Sequence, residues 1–321
     1  MLSRSSDPLA SSWGRNDPLS SVLLDLRLSG TFFCHSEFGA PWALEIDERA
    51  FASFHFVISR DCWLQLLSDD MPEAIRLYPG DLALVPRSPR QVFSSSKRRT
   101  GTALDRLPAR RLTEAVSALQ IAGDEPRWLV VCGGVRLEGF AAAMLGELLP
   151  DVVVLRASDA GPIVASTLEA MKHESSAARP GSATVMTRLA DVIVIHAIRS
   201  WLERTAPAAG WLAAVRDPHV GRAVAQIHQR PEHAWSVAEL ARISRLSRSR
   251  FSERFTELAR FAPMQYVTKV QMYRASEILR GERVTIAELA TRFGYESEPA
   301  FARAFKRHVG KPPGAVRREA S

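Results

Sequence analysis

One stretch occurs twice in this chain. Val237-Ala238-Glu239-Leu240-Ala241 is followed by Phe251, Phe255 and Pro263, and Ile286-Ala287-Glu288-Leu289-Ala290 by Phe301, Phe305 and Pro313. The offset is 49 residues at the start and 50 from the phenylalanines onward. A repeat of that period marks one supersecondary unit used twice. In each copy an apolar stripe at i, i+3, i+4 (Val237, Leu240, Ala241; Ile286, Leu289, Ala290) predicts a short helix. Ser236 and Thr285 stand just before the stripes, with Glu239 and Glu288 three residues on, the capping-box pattern of a helix start. A break follows. In the second copy it is Phe293-Gly294-Tyr295, where glycine tolerates a left-handed backbone; in the first it is Ser244-Arg245-Leu246, a weaker turn signal. Then comes a second helix. Ser247 or Ser249 can cap it in copy one, with Phe251, Phe255 and Leu258 inward; Ser297 caps it in copy two, Pro299 fits its first turn, and Phe301, Phe305 and Val309 face inward. Short helix, tight turn and second helix make a helix-turn-helix, whose second helix reads the major groove.

The inward stripe fixes the outward one, because successive helical residues are about 100° apart. Ser249, Ser252, Glu253 and Thr256 point away from the first phenylalanine pair, and Glu298, Ala302, Arg303 and Lys306 from the second. Arg303 offers a planar fork to guanine; Glu253 either accepts from cytosine or orients an arginine. Arg248, Arg250, Arg254, Lys306 and Arg307 read as phosphate neutralisers, which add affinity without sequence choice. Between the copies a helix over Met264–Arg280 would bury Tyr266, Val267, Val270, Tyr273 and Ile278 and set the spacing of the motifs. Two reading helices in successive grooves must lie roughly 34 Å apart. Charge supports a polyanionic partner. From Asp217 onward the chain has 19 Lys and Arg against 11 Asp and Glu, while the residues before it have 23 against 24.

Trp235-Ser236-Val237, Leu240-Ala241, Leu246-Ser247-Arg248-Ser249, Phe251, Phe255, Pro263 and Tyr266, then Ile286, Phe293-Gly294-Tyr295-Glu296-Ser297, Phe301-Ala302-Arg303-Ala304-Phe305-Lys306-Arg307, Gly310 and Pro313 together resemble the C-terminal domain of AraC/XylS-type transcription regulators. The resemblance covers about a hundred residues. Arg260 stands where that family usually has glycine, Pro299 where a small or polar residue is usual, and Val316 where an aromatic is usual. The resemblance implies a sequence-specific regulator of promoter DNA, activating rather than repressing, with contact to RNA polymerase as an open question.

The length of 321 residues suggests two domains: a sensor and dimerisation domain over 1–206, a linker over 207–216 and the DNA-binding domain over 217–321. The polar N-terminus has no apolar signal-peptide core, and no apolar run approaches a membrane span. Three cysteines, an odd and low count, fit a reducing cytoplasm. After a short helix over Asp17–Arg27, aromatic and β-branched segments predict strands at Thr31–Cys34, Trp42–Ile46, Phe51–Ile58, Cys62–Leu67, Ile75–Tyr78, Asp81–Val85 and Gln91–Ser94. Short strands at even spacing suggest an antiparallel β-barrel or jelly roll. Lys97–Pro126 reads as an exposed insertion with a helix near Leu112–Leu119. Strands resume at Trp128–Cys132, Val135–Leu137 and Val152–Leu155, followed by helices over Gly161–Glu174 and Thr184–Arg204. On the last of these, Leu189, Val192, Ile193, His196, Ala197 and Ser200 lie near one face, a natural contact for a homodimer as well as core. Pro79-Gly80-Asp81-Leu82 and Val85-Pro86 resemble the turn and strand of a cupin. The fold class is therefore α+β multidomain: a cupin-like antiparallel barrel with flanking helices, then an all-α domain with two helix-turn-helix motifs.

Cupin enzymes hold a metal with two histidines, a carboxylate and a third histidine. His55 is placed for the first strand pair, but Arg90-Gln91 stands where the last histidine belongs, and no His-x-His occurs. Neither metal nor cofactor is expected, and no catalysis; the alternative is a metal-dependent cupin enzyme with an accessory helical domain. His173, His196 and His219 show no ligand spacing. A lone buried cysteine is most often a small hydrophobe, and Cys62 beside Trp63 reads that way. Cys34 and Cys132 have a second reading, redox sensing, since a thiol reacts when a cationic neighbour stabilises its thiolate and His35 adjoins Cys34. By resemblance, regulators that sense reactive chlorine species carry functional cysteines at similar places. Thiol oxidation and a small apolar ligand both stay open as the signal, with Cys34, Cys132 and His55 as the sensor candidates.

Overall fold

The computed structural model describes Leu23 and residues 26–67, 73–97, 100–112, 116–159, 161–177, 179–204 and 210–320. The helix expected over Asp17–Arg27 lies outside the described residues except at its last positions, and Arg27 already opens a strand. The chain divides into two compact units. Among the described residues one holds 27–138 and 145–204, and the other holds 139–144 and 210–320.

The first unit is built on two sheets. Its strands are β1 (Arg27–Ala40), β2 (Ala43–Ile46), β3 (Ala52–Val57), β4 (Cys62–Leu66), β5 (Ile75–Leu77), β6 (Leu82–Val85), β7 (Gln91–Ser94), β8 (Thr102–Ala103), β9 (Ala109–Arg111), β10 (Val116–Ile121), β11 (Asp124–Glu138) and β12 (Val153–Leu155). A seven-stranded sheet runs β12-β6-β3-β11-β1-β10-β9 and a five-stranded sheet runs β5-β4-β7-β2-β8. Phe38, Val57, Val85 and Val130 from the larger sheet pack with Leu44, Leu64, Leu66 and Phe93 from the smaller in one buried cluster, so the core lies between the sheets. Most pairings are antiparallel, as expected, but β1 with β10 and β2 with β8 are parallel.

The expected helix near Leu112–Leu119 is absent where described: residues 116–121 are strand β10, aligned with Phe33–Phe38 of β1. Its buried residues are Val116 and Leu119, and the ladder to β1 overrides the helix-favouring composition of the segment. Nor does the chain break between Cys132 and Val135. Strand β11 runs through Gly133 and Gly134, where a Cβ atom would lie 2.4 Å from Phe54 Cζ and 2.4 Å from Phe32 Cε1 respectively. Only glycine lets the strand pass so close to those rings. Helices α2 (Gly161–Ala177) and α3 (Ser182–Arg204) pack against each other.

The second unit is helical. Its first turn comes from α1 (Phe140–Leu148), which the sequence did not announce. Phe140 packs its ring 5.2 Å from Tyr266 and 5.0 Å from His228, whose Nε2 meets the Tyr266 hydroxyl at 2.9 Å. Residues expected in the linker form α4 (Trp211–Arg216), with Trp211 and Leu212 buried. Then follow α5 (Val220–Gln229), α6 (Val237–Ser244), α7 (Arg248–Ala259), α8 (Pro263–Gly281), α9 (Ile286–Arg292), α10 (Glu298–Val309) and α11 (Pro313–Ala320). The repeat is realised twice, as α6-turn-α7 and α9-turn-α10, and α8 touches both α7 and α10. Val316 is fully buried in one cluster with Phe301 and Phe305.

Candidate nucleic-acid interface and sensor cavity

Local chemistry sets each end of the reading helices. Ser236 accepts from the Glu239 amide at 3.2 Å and Thr285 from the Glu288 amide at 3.1 Å. In the second copy Glu288 reaches back to the Thr285 amide at 2.6 Å and completes the box. In the first copy Glu239 turns instead to His233 Nε2, at 3.1 Å. Arg245 takes the left-handed turn position at φ 55°, and Gly294 does so at φ 76°. Ser247 caps α7 and Ser297 caps α10, each accepting from the amide three residues on. Phe251, Phe255, Phe301 and Phe305 are fully buried, which fixes the rotation of both helices.

That rotation turns the expected readers outward. Arg248, Ser249, Arg250, Glu253 and Thr256 on α7 are exposed and Ser252 is half-buried. On α10, Glu298, Arg303, Lys306 and Arg307 are exposed and Ala302 is half-buried. Among the described residues none of Arg248, Arg250, Arg303, Lys306 and Arg307 forms a salt bridge.

Arg254 differs from its expected role. Its Nε and Nη2 donate to Asp217 Oδ2 at 3.0 and 2.5 Å, while Asp217 Oδ1 accepts from the amides of Val220 and His219 at 2.8 and 3.0 Å. One carboxylate thus caps α5 and pins the flank of α7, an arrangement that separation of 37 residues hides from a sequence reading. Burial pushes the Asp217 carboxyl upward, but Arg254 and the two amides outweigh it and hold the group below the usual carboxylate range.

The sheet unit contains a cavity of about 270 Å³ lined by Phe32, Cys34, Leu44, Ile46, Arg49, Phe51, His55, Leu119 and Cys132 among others. The three sensor candidates all reach it. Cys34 and Cys132 are direct partners across the β1–β11 ladder, and His55 is the partner of Cys132 across β11–β3. His55 Nδ1 lies 3.2 Å from Cys132 Sγ and its Nε2 lies 3.2 Å from Gln91 Oε1. Gln91 Nε2 donates to the hydroxyls of Ser53 and Ser88 at 3.0 and 3.2 Å. Strand alternation sends His35 to the opposite face from Cys34, so the imidazole beside a thiol is that of His55. Burial lowers the His55 pKa to about 4, which keeps the ring neutral. Burial raises Cys34, against a smaller lowering by the Ser36 hydroxyl, and raises Cys132 and Cys62 as well. The sequence missed Gln91 because it stood out only as a lost metal ligand. Both ring nitrogens of His55 are engaged by a thiol and an amide, a donor set unlike a two-histidine, one-carboxylate iron site. Among the described residues no three His, Cys, Asp or Glu side chains cluster as a metal site.

A cupin family profile matches residues 17–203 and a helix-turn-helix domain profile matches residues 240–319. A putative AraC-like transcription regulator from Streptomyces lividans is 31% identical over 304 residues, which are 94% of this chain and 98% of that one. Another from Streptomyces antibioticus is 32% identical over 307 residues, again 94% and 98%. The RCS-specific HTH-type transcriptional activator RclR of Escherichia coli is 25% identical over 306 residues, 94% of this chain and 97% of its own.

Proposed function

We propose a mode of reading and a signal for this chain, which belongs to the family of AraC-like transcription regulators and carries a cupin domain ahead of its helix-turn-helix domain. It is a DNA-binding transcription regulator and not an enzyme. In our reading α7 and α10 enter successive major grooves of one duplex. Arg248, Arg250, Lys306 and Arg307 neutralise phosphates; Ser249, Ser252, Glu253, Thr256, Glu298, Ala302 and Arg303 face the bases. The observation that carries this is the repeated geometry: each second helix buries a phenylalanine pair and turns its opposite face to solvent. The DNA-binding domain proper is taken as 217–321 and the sensor domain as 1–206, its two sheets forming the barrel.

The cavity around Cys34, Cys132 and His55 is the sensory site, open to a small molecule or an oxidant. Its occupation must shift the balance between two states of different DNA affinity. Val185, Val192 and the half-buried Leu189 and His196 form an exposed stripe on α3 at helical spacing, suited to a homodimer. RclR is named an activator, and activation through contact with RNA polymerase is the regulatory mode we assign. Among the described residues no helix is long and apolar enough to cross a membrane, and a cytoplasmic site of action fits a promoter-binding protein.

Gel shifts on the promoter region beside the protein's own coding sequence test the reading. Arg303→Ala should lower binding to the cognate fragment and leave random DNA nearly unchanged. Arg307→Ala should lower both alike. Equal losses on both for Arg303→Ala reject base reading. A promoter reporter with Cys34→Ser or Cys132→Ser tests the sensor: an unchanged response to every oxidant and small molecule in both variants rejects the cavity.

A further inference from the structure

We propose that Cys132 is the nucleophile of a cysteine–histidine pair that adds small α,β-unsaturated carbonyl compounds admitted to this cavity, with His55 as base and Gln91 as positioning residue. The argument begins at the serines. Gln91 Nε2 already donates to Ser53 Oγ and Ser88 Oγ, so its Oε1 is the atom turned to His55. An amide oxygen only accepts, and His55 Nε2 therefore carries the ring proton. Nδ1 is left as an unprotonated acceptor 3.2 Å from Cys132 Sγ. The Phe93 ring stacks on the imidazole at 4.8 Å and 24°, holding its plane. Nucleophile, base and a third group that fixes the base's tautomer are the parts of a thiol addition site.

The cavity selects the electrophile. Its walls are mostly apolar (Phe32, Leu44, Ile46, Phe51, Leu104 and Leu119) with Ser36 and Ser53 among them, and of the described lining residues Arg49 alone carries a formal charge. About 270 Å³ admits one ring or a short chain. An enone matches this lining, with an apolar body and one carbonyl oxygen for the guanidinium. The Cys132 Sγ–carbon bond forms at the β-carbon of the alkene, and the alkene π pair moves to the carbonyl as an enolate. The thiol proton passes to His55 Nδ1 and from there to the α-carbon. The product is a thioether with no net oxidation, so no co-reactant is needed. The pair works in its neutral form: burial keeps the imidazole unprotonated at physiological pH and the thiol protonated until the ligand arrives.

The inference rests on the sensory reading of the cavity, and the test separates the two. The full-length protein is treated with 2-cyclohexenone, and adducts at Cys34, Cys62 and Cys132 are timed by peptide mass spectrometry from pH 5 to 8. Cys132 should be labelled at least roughly tenfold faster than the other two, at a rate nearly flat in pH. An unassisted thiol instead gains about tenfold per pH unit below its pKa. His55→Gln should slow Cys132 by roughly a hundredfold and restore the steep pH dependence, and Gln91→Leu should give an intermediate loss with a changed pH profile. A steep profile at Cys132 in the unmodified chain, or labelling no faster than at Cys34, overturns the proposal without any variant. Adduct formation at Cys132 with unchanged operator binding supports this chemistry while overturning the sensory reading.

Discussion

Replacing Arg254 with alanine separates stability from DNA affinity on one helix. The side chain donates twice to Asp217, whose side chain is 7% exposed, while its own is 40% exposed. A charge-assisted pair of this kind contributes about 1.5–3 kcal/mol when well buried, and the exposed guanidinium reduces that toward about 1–2 kcal/mol. Asp217 keeps its two amide bonds in the variant, so α5 stays capped. A loss of 1–2 kcal/mol multiplies the open population by about 5–30. Amides of residues 248–259 should then exchange with deuterium faster by that factor. The salt dependence of DNA binding should not change, because the guanidinium is committed to Asp217. Each true phosphate contact contributes about −0.9 to the slope of log K against log salt, so Arg248→Ala, Arg250→Ala or Arg307→Ala should each flatten it by nearly one unit. A one-unit change of slope in Arg254→Ala with unaltered exchange would falsify the assignment of Arg254 to structure.

Asp217 gives a pH signature. Its folded pKa lies below the ordinary value, so its stabilisation is complete above about pH 4 and is lost as pH falls through the folded value. Protection of the α5 amides, each exchange rate taken relative to that of an unstructured amide at the same pH, should fall at the acid end of a series from about pH 6 to 3, and Asp217→Asn should abolish that fall. Arg260→Gly should stabilise the end of α7. The left-handed backbone at φ 63° costs a side-chain-bearing residue about 1–2 kcal/mol; the extra chain entropy of glycine takes back about 0.5–1, leaving a gain under about 1.5 kcal/mol readable in denaturant titration of the full chain. Phe305→Ala, at a fully buried position, should cost about 3–5 kcal/mol and abolish promoter binding; retained binding in gel shifts at ordinary temperature would contradict the inward placement.

The repeat was legible because both halves of its chemistry are local. Caps, stripes and breaks lie within four residues of one another, and Gln91–Ser94 appears with the bounds the sequence suggests. What stayed hidden is pairing across distance. Nothing in the chain near Cys34 announces Cys132, 98 positions later, as its ladder partner. The Ala- and Arg-rich segment before Val116 suggested a helix because its partner strand β1 is too far away in sequence to count in a local window. Gln91 looked like a vacancy when judged against a metal site; its meaning came from three buried neighbours, Ser53, His55 and Ser88.

The glycine pair on β11 carries a consequence for how such a regulator can diversify. Any methyl group at 133 or 134 would collide with the rings of Phe54, Phe32 or Phe51, so the floor of the chamber cannot be retuned one atom at a time. Its rim can: Phe32 is 42% exposed and meets Phe51 edge-on at 5.3 Å, leaving that aromatic doorway as the part where mutation can alter which molecules are admitted while the backbone beneath stays still.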